Sequence, residues 1–270
     1  MALPALHALS EVGEVTIHAP RWGGELYRDV RARVMPRGRM AGGDVAILFA
    51  PSLRAALEAW RLPRRVGVAS DHRGWLLTDR VAPGRHQGET YTRLAAAVGA
   101  SATGPPVYAR RATDRTPEVP EGHVGLVPVS ATPMREWPGF AALARRLDVP
   151  VVVYGGPGEE ERVRRVSGGR PMVVGLDLPS FGAALSRCAL LVANDSGAAH
   201  FARACGTRVL VVYGPTDAER SGPHGAAAVR GPVMECAPCY GRRCTNRGAP
   251  RGCLDVPVAT VHAAVTAALA

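Results

Sequence analysis

Polar residues suited to anion binding follow one apolar run of the sequence. The run Leu190–Asn194 leads directly into Asp195, Ser196 and Gly197, where a helical pattern begins. A helix that starts at a strand end presents unpaired backbone N–H groups and the positive end of its dipole, which together bind phosphate. Asp195 or Ser196 would cap this helix, Gly197 would leave its backbone accessible, and His200 would face the same site one turn later. The competing interpretation is an ordinary capped helix with a buried histidine.

Three other turns also follow apolar runs and add candidate ligands. Ser130 begins a turn that contains Arg135, whose guanidinium matches the oxygens of a diphosphate. Gly155 lies in a glycine-rich turn that lacks the G-x-G-x-x-G spacing of dinucleotide-binding proteins. Gly214 and Pro215 end a further run, although these residue types punctuate many turns. For Arg135, an exposed arginine without a ligand is an equally good interpretation.

Four cysteines crowd into the segment 236–253, at Cys236, Cys239, Cys244 and Cys253. This spacing permits a tetrahedral zinc site, and in a cytoplasmic protein thiolates are favoured over disulfides. A structural metal ion and free or partly oxidised thiols are therefore alternatives that stay open.

The composition excludes several kinds of chemistry. All 33 basic residues are arginine and the formal net charge is +10, so no lysine is present for a Schiff base or a Walker-A loop. A basic surface favours anionic partners, namely sugar nucleotides, phospholipid headgroups or nucleic acid. No apolar run approaches the roughly 20 residues of a membrane-spanning helix, and no basic residue precedes the apolar N-terminus. We therefore expect a cytoplasmic protein, located at the inner face of the membrane.

Apolar runs that alternate with helical patterns predict an α/β protein with parallel sheets. Strands are predicted at Val15–Ala19, Val45–Ala50, Val66–Ala69, His123–Val129, Pro150–Gly155, Met172–Val174, Leu190–Asn194 and Val209–Tyr213. Helices are predicted at Arg54–Trp60, Glu89–Val98, Trp137–Leu147, Glu159–Val166, Ser180–Arg187, Gly197–Ala204 and Val258–Leu269.

The polar segment Ala112–Gly122, interrupted by Pro117 and Pro120, predicts a linker between two domains. We expect an N-terminal Rossmann-like domain at 1–115, a C-terminal one at 123–256 and a final helix at 257–270. Two such domains place a ligand in the cleft between them, at the carboxyl ends of the strands.

Taken together, the segments resemble the ADP-heptose:lipopolysaccharide heptosyltransferases of glycosyltransferase family nine. The resemblance covers nearly the whole chain, and Asn-Asp-Ser-Gly-x-x-His is its most specific block. It is carried by Gly125–Ala131, Arg135–Pro138, Val153–Gly158, Asn194–His200 and Tyr213–Thr216 in the C-terminal half, and by Arg65–Val81 and Glu89–Leu94 in the N-terminal half.

This resemblance implies a GT-B fold, in which the second domain binds most of the donor. It implies an inverting, metal-independent transfer of heptose from an ADP-sugar to a lipopolysaccharide-core or other glycan acceptor. No Asp-x-Asp motif is present in the sequence, as expected for a metal-independent transferase. By position, Asp195, Ser196, Gly197 and His200 would hold the phosphates and the sugar of the donor. Arg135 stands where the family usually has a lysine.

Family members begin with an apolar strand and a Gly-Asp turn, followed by a helix similar to Leu3–Leu9. Here Met1 falls at the start of that helix, so the first strand and the turn, whose aspartate is thought to be the general base, are expected to be missing. General-base catalysis contributes roughly 10²–10⁴ in rate. The catalytic residue is thus unassigned, and Asp71, Asp79 and His86 are the candidates for another base.

Three other functions compete with an active transferase. A catalytically silent family member would bind the nucleotide sugar or a partner without transfer. A sugar-nucleotide 2-epimerase also contains two Rossmann-like domains. Nucleic-acid binding is disfavoured because aromatic residues make up only 5% and are not interleaved with arginines on a known module. The expected partners are therefore an ADP-sugar, a glycolipid or glycan acceptor and an anionic membrane surface, with no catalytic cofactor and zinc as the structural candidate.

Overall fold

The computed structural model describes residues 1–40 and 42–270 and divides the chain into two compact units. Unit 1 spans Met1–Val107 and unit 2 spans Tyr108–Ala270. Each unit is an α/β structure in which neighbouring strands run parallel, as the alternating sequence pattern predicts.

Unit 1 contains two small parallel sheets. Its elements are α1 (Leu3–Val12), β1 (Val15–Ala19), α2 (Gly23–Leu26), β2 (Ala32–Pro36), β3 (Val45–Leu48), α3 (Leu53–Glu58), β4 (Arg64–Gly67), β5 (Asp79–Arg80) and α4 (Gln87–Ala96). β1 pairs with β2, and β3, β4 and β5 form a second sheet in that order. β1 and β3 belong to different sheets. The idea of a missing first strand stays a prediction.

The two faces of β3 separate the core of unit 1 into two layers. Ala46 and Leu48 pack with the buried side of α3 and with the leucines of the turn at residues 74–77. Ile47, on the alternate face, packs against the alanines and leucines of α1 and α4. The sheet β3–β4–β5 is thus covered on both sides, as parallel sheets require.

Unit 2 is built on a six-stranded parallel sheet. Its elements are β6 (His123–Val127), α5 (Phe140–Arg146), β7 (Val151–Gly155), α6 (Glu160–Val166), β8 (Met172–Val174), α7 (Leu178–Leu185), β9 (Cys188–Asn194), α8 (Gly197–Ala204), β10 (Val209–Tyr213), α9 (Ala218–Ser221), β11 (Ala227–Arg230) and α10 (Val258–Leu269). The strand order is β11-β10-β9-β6-β7-β8. Consequently β6 and β9 lie side by side at the centre.

The C-terminal helix α10 belongs to the core of unit 2. By length and composition alone, the 18 residues Gly252–Leu269 are apolar enough to cross a membrane. This stretch is closer to the length of a membrane-spanning helix than the sequence pattern indicated. A third of this stretch is buried, and Val261 and Val265 pack into the core with strands β6, β9 and β10. This packing is that of a core helix in a globular unit.

The boundary between the units differs from the predicted linker. The segment from Tyr108 to Gly122 packs on unit 2, because the Tyr108 N–H donates to the Ala204 carbonyl at 2.8 Å and the Gly122 N–H to the Arg187 carbonyl at 2.8 Å. Val119 in this segment is buried. The segment is irregular, as its polar, proline-containing composition indicates. It nevertheless makes tertiary contacts with unit 2 and is not a free linker.

The helix predicted from Trp137 begins at Phe140 instead. The Trp137 N–H donates to Asn194 Oδ1 at 2.9 Å, and its indole N–H donates to the Val256 carbonyl at 3.0 Å. Trp137 is therefore fixed by the end of β9 and by the chain before α10, and helical geometry starts only after Gly139.

Candidate active site

The candidate site lies at the carboxyl ends of β6 and β9. From β6 the chain continues outward to β7 and β8, whereas β9 is followed on its other side by β10 and β11. The strand order therefore reverses between β6 and β9. Ligands of open α/β sheets bind in the crevice at such a switch point.

Asn194 holds the two strand ends together. Its side chain is buried, donates from Nδ2 to the Pro128 carbonyl at 2.8 Å, and accepts from the Trp137 N–H at 2.9 Å. Both ends of the amide are thus satisfied, so the turn after β6 and the turn after β9 are fixed relative to each other.

Asp195 and Arg135 form an ion pair at this edge. Arg135 Nη1 donates to Asp195 Oδ2 at 3.1 Å and to the Asp195 carbonyl at 3.3 Å. Burial raises the pKa of Asp195 above its ordinary value, and the Thr216 hydroxyl and Arg135 partly oppose this increase. The side chain of Arg135 is 29% exposed, so it remains partly accessible to solvent.

The helix α8 starts at this point with an uncapped first turn. Ser196 occupies the N-cap position, but its side chain makes no capping hydrogen bond. Among the described residues, the Ser196 Oγ is buried without a hydrogen-bond partner. A methyl group on Gly197 would meet no atom within 4 Å, so the backbone there borders open space. These features together suit an anion that accepts hydrogen bonds from the helix start and from Ser196.

The turn after β6 is held by a network of charged side chains. The Ser130 N–H donates to Glu136 Oε1 at 2.7 Å, and Arg162 donates to the Ser130 carbonyl at 3.1 Å. Arg162 also pairs with Glu136 and, at 3.0 Å, with Glu159. The backbone at Ser130 is therefore rigid, and its Oγ accepts from the Thr132 N–H at 3.2 Å.

Two predicted donor-binding glycines are packing positions. A β-carbon on Gly155 would lie 2.5 Å from Val163 Cγ2, and one on Gly214 would lie 2.5 Å from Leu254 Cδ2. The Pro215 carbonyl accepts from the N–H groups of Cys239 and Tyr240, each at 3.0 Å. These residues therefore bring neighbouring elements close to the sheet edge. His200 is half-buried on α8, one turn beyond Ser196.

The four clustered cysteines line one cavity of unit 2, together with Met134 and Met234. None of the four forms a disulfide; Cys253 is buried and the other three are exposed. The pKa of the Cys253 thiol is raised, first by burial and then by the proximity of Cys239, Cys236 and Cys244.

Backbone and amide N–H groups point at two of these sulfur atoms. The Arg251 N–H donates to Cys244 Sγ at 3.3 Å, and the Asn246 Nδ2 donates to Cys236 Sγ at 3.7 Å. Within residues 1–40 and 42–270, no three His, Cys, Asp or Glu side chains are close enough as they stand to hold a metal ion. The sulfur atoms thus share a cavity without converging on one point.

The three candidate bases lie apart in unit 1, and each has a structural partner. Asp71 Oδ2 accepts from the Leu53 N–H at 2.8 Å at the start of α3. Asp79 pairs with Arg64 at 2.8 Å, and its pKa is lowered by Arg64 and by the Thr78 hydroxyl. His86 caps α4, where its Nδ1 accepts from the Gly88 N–H at 3.0 Å.

Sequence reasoning missed Arg73. Its side chain is fully buried, and it donates to the carbonyls of Val68, Ala50 and Ser52, which ties the loop after β4 to the start of α3. Burial lowers its pKa. No periodicity distinguishes this arginine from the exposed ones around it, so the sequence carried no signal for its role.

The parallel α/β architecture of the two units matches solved structures of the GT-B fold class. Residues 39–249 match the family model for glycosyltransferase family 9 (heptosyltransferase), and the chain belongs to this family. None of the curated proteins matches the chain by sequence.

Solved structures support the same fold at low sequence identity. The ADP-heptose lipopolysaccharide heptosyltransferase II of E. coli has a TM-score of 0.72 and 19% identity, over 99% of this chain and 94% of that one. The E. coli heptosyltransferase WaaC with ADP also has a TM-score of 0.72, at 16% identity, over 99% and 95%. TibC of enterotoxigenic E. coli, a dodecameric iron-containing heptosyltransferase in complex with ADP-D-β-D-heptose, has a TM-score of 0.65 at 13% identity, over 99% and 74%.

Proposed function

We propose that this protein transfers heptose, or a related sugar, from an ADP-sugar to a lipopolysaccharide-core or other glycan acceptor. The transfer inverts the anomeric centre and uses no metal ion in the chemical step. The location is the cytoplasmic side of the membrane, where the acceptor is a glycolipid or glycan. Family membership, the ADP bound in the WaaC structure and the ADP-D-β-D-heptose bound in the TibC structure support the choice of ADP over other nucleotides.

One observation carries the donor-binding part of the proposal. The uncapped start of α8, with the unpartnered Ser196 Oγ and the open space at Gly197, lies at the switch point beside the cationic Arg135. Backbone N–H groups at an uncapped helix start, together with a guanidinium at the same edge of the sheet, form a seat for a diphosphate.

The same groups would stabilise the leaving group. When the acceptor hydroxyl attacks the anomeric carbon, the bond from that carbon to the donor phosphate breaks and negative charge grows on the departing ADP. The ion pair with Asp195 fixes Arg135, and the hydrogen bond from Asn194 to the Pro128 carbonyl fixes the two turns at this edge. Hydrogen-bond donors held in this way need no reorganisation to stabilise the charge. The proton of the acceptor hydroxyl requires a base, which we leave unassigned.

A nucleotide-sugar-binding protein without transferase activity is the second candidate. It is favoured because each candidate base is already engaged in a structural hydrogen bond or ion pair. These residues are Asp71, Asp79 and His86. These two functions share the donor site and differ only in the chemical step.

Donor binding is tested by a thermal-shift screen with ADP-heptose, ADP, UDP and GDP. A ligand that binds only the folded protein at 100 times its Kd stabilises it by about 2.7 kcal/mol. We expect ADP and ADP-heptose to raise the melting temperature more than UDP or GDP. Equal shifts with all nucleotides, or no shift with any, would contradict the assigned donor.

We also propose that the four clustered cysteines hold a structural metal ion, with zinc as the candidate. The cavity shared by the four sulfur atoms and the N–H donors to Cys236 and Cys244 support this proposal, since thiolates of metal sites accept such hydrogen bonds. Rotation of the cysteine side chains is required, because the sulfur atoms do not yet converge.

Elemental analysis of protein purified under reducing conditions tests this site. We expect about one zinc per chain, and loss of the metal in Cys236→Ser and in Cys239→Ser. Cys205→Ala, a change at a cysteine outside the cluster, is the matched control and should keep the metal. A wild-type protein without stoichiometric metal would contradict the proposal.

A further inference from the structure

Unit 1 exposes an unusual set of large apolar side chains in a short part of the chain. Leu57 is 48% exposed, Trp60 is 51% exposed and Trp75 is 71% exposed. Leu57 and Trp60 follow each other along α3 and its C-terminal turn, and Trp75 lies in the 3-10 turn Gly74–Leu76. Large apolar side chains exposed on one surface are typical of sites that bind a partner or a membrane.

The three side chains belong to one layer of unit 1. The inner residues of α3 (Ala56 and Ala59) and of the turn (Leu76 and Leu77) pack on the same face of the sheet β3–β4–β5. The loop before the turn is bonded directly to α3, because the Leu53 N–H donates to Asp71 Oδ2 at 2.8 Å. Leu57, Trp60 and Trp75 are therefore outward residues of a single layer.

Arginines surround these apolar side chains. Arg54 is 78% exposed on α3, and the Arg61 guanidinium lies 5.4 Å from the centroid of the Trp60 ring. Arg80 donates to the Gly74 carbonyl at 3.2 Å beside Trp75. The carboxylate Glu58 pairs with Arg54 at 2.8 Å and offsets that charge, so Arg61 and Arg80 are the cations of this surface that no acid on α3 balances.

We propose that this surface, the α3 face (Arg54, Leu57, Trp60, Arg61 and Trp75), docks on an anionic phospholipid bilayer. Tryptophan rings lie at the level of lipid headgroups, leucine reaches the acyl boundary, and arginines attract anionic lipids. The inference rests on the proposed function in one respect, because a lipid-linked acceptor places the protein at such a surface. It adds which residues make the contact.

A second copy of the chain fits this surface less well. In a symmetric dimer the same patch meets itself, so the arginines of both copies would face each other. The apolar side chains are also interrupted by arginines rather than contiguous, whereas the core of a stable homodimer interface is depleted of charge. A layer of phosphate headgroups instead pairs with the arginines.

Co-sedimentation with lipid vesicles tests the α3 face. We expect the full chain to bind vesicles of phosphatidylcholine mixed with phosphatidylglycerol, and to bind pure phosphatidylcholine vesicles weakly. Arg54→Gln with Arg61→Gln should lower the partition coefficient for anionic vesicles by roughly 30-fold, and high salt should act in the same direction. Trp60→Ser with Trp75→Ser should lower it by roughly tenfold or more.

Trp22→Ser is the matched control, since Trp22 is 52% exposed in unit 1 but lies at the start of α2, beside the other sheet. Each variant changes exposed residues, and its circular dichroism and ADP binding should match the wild type. Three results would overturn the inference: no binding of the wild type to anionic vesicles, unchanged binding of the double variants, or an equal loss in Trp22→Ser. A dimer that the tryptophan variant dissociates would assign the face to a second copy. ADP binding without vesicle binding would contradict this inference and leave the proposed function intact. Vesicle binding without ADP binding would contradict the proposed donor.

Discussion

Arg135 is the residue on which donor affinity should depend most. It is held by Asp195 at 3.1 Å, and its side chain is partly exposed at the switch point. Arg135→Ala should weaken ADP binding by about 10- to 100-fold, because a hydrogen bond to a charged group contributes about 1.5–3 kcal/mol. Isothermal titration calorimetry of the full chain with ADP measures this change.

Arg164→Ala is the control for that change. Arg164 is 61% exposed on α6, where it pairs with Glu161, and it lies outside the candidate site. It should bind ADP as the wild type does. A loss of affinity in both variants would show a general charge effect and would remove Arg135 from the donor site.

Asp79 gives a pH-dependent test of unit 1. The ion pair with Arg64 and the hydrogen bond from Thr78 lower the pKa of Asp79 below its ordinary value. A depressed carboxyl pKa stabilises the fold above the ordinary pKa of about 3.9, and this contribution is lost as the pH falls through the lowered pKa. The difference in urea midpoint between the wild type and Asp79→Asn should therefore be constant near neutral pH and shrink below about pH 4. A difference that does not change between neutral and acidic pH would contradict the assignment.

At the scale of elements, substitution by alanine should have different effects on two glycines, one at the start of α8 and one directly after β10. Gly197→Ala adds a methyl group to open space at the start of α8, so it should leave the free energy of unfolding nearly unchanged and lower ADP affinity. Gly214→Ala drives a methyl group against Leu254 and should destabilise the protein by about 1–3 kcal/mol.

Urea denaturation and ADP calorimetry of both variants separate the two roles. If Gly197→Ala binds ADP with wild-type affinity, the start of α8 is not the phosphate seat. If Gly214→Ala is as stable as the wild type, the close packing of Leu254 on β10 does not constrain this turn.

The sequence predicted the elements that alternate most regularly. Val15–Ala19, Met172–Val174, Gly197–Ala204, Val209–Tyr213 and Val258–Leu269 have the predicted bounds, because glycine or proline lies close to at least one end of each apolar segment. The strands β2, β5 and β11 were missed. β5 has only two residues, Arg33 interrupts the apolar residues of β2, and the apolar run at β11 consists mainly of alanine, which favours a strand only weakly.

For the candidate site, local sequence identified the turns but not their contacts. Asp195, Ser196 and Gly197 lie where the strand-to-helix pattern placed them. The ion pair of Arg135 with Asp195 and the bridge from Asn194 to Pro128 join residues about 60 positions apart, and no local pattern encodes such a pairing. The packing roles of Gly155 and Gly214 likewise depend on side chains from other elements.

At the scale of the whole molecule, the proposed sites are distributed between the two units. Unit 2 contains the proposed donor site and the cysteine cavity, and unit 1 contains the α3 face and the candidate bases. Under the proposed function, unit 2 binds the sugar nucleotide, and we expect unit 1 to present the acceptor.

Sugar transfer itself is the most direct test of the central claim. The full chain is incubated with ADP-heptose and a lipopolysaccharide-core acceptor, and the products are followed by mass spectrometry together with nuclear magnetic resonance of the new linkage. We expect an acceptor that carries one additional heptose of inverted anomeric configuration, with one ADP released for each sugar transferred. Bound but unconsumed ADP-heptose would contradict transfer and favour a silent nucleotide-sugar-binding protein, and ADP-heptose converted to an epimer would contradict it in favour of an epimerase.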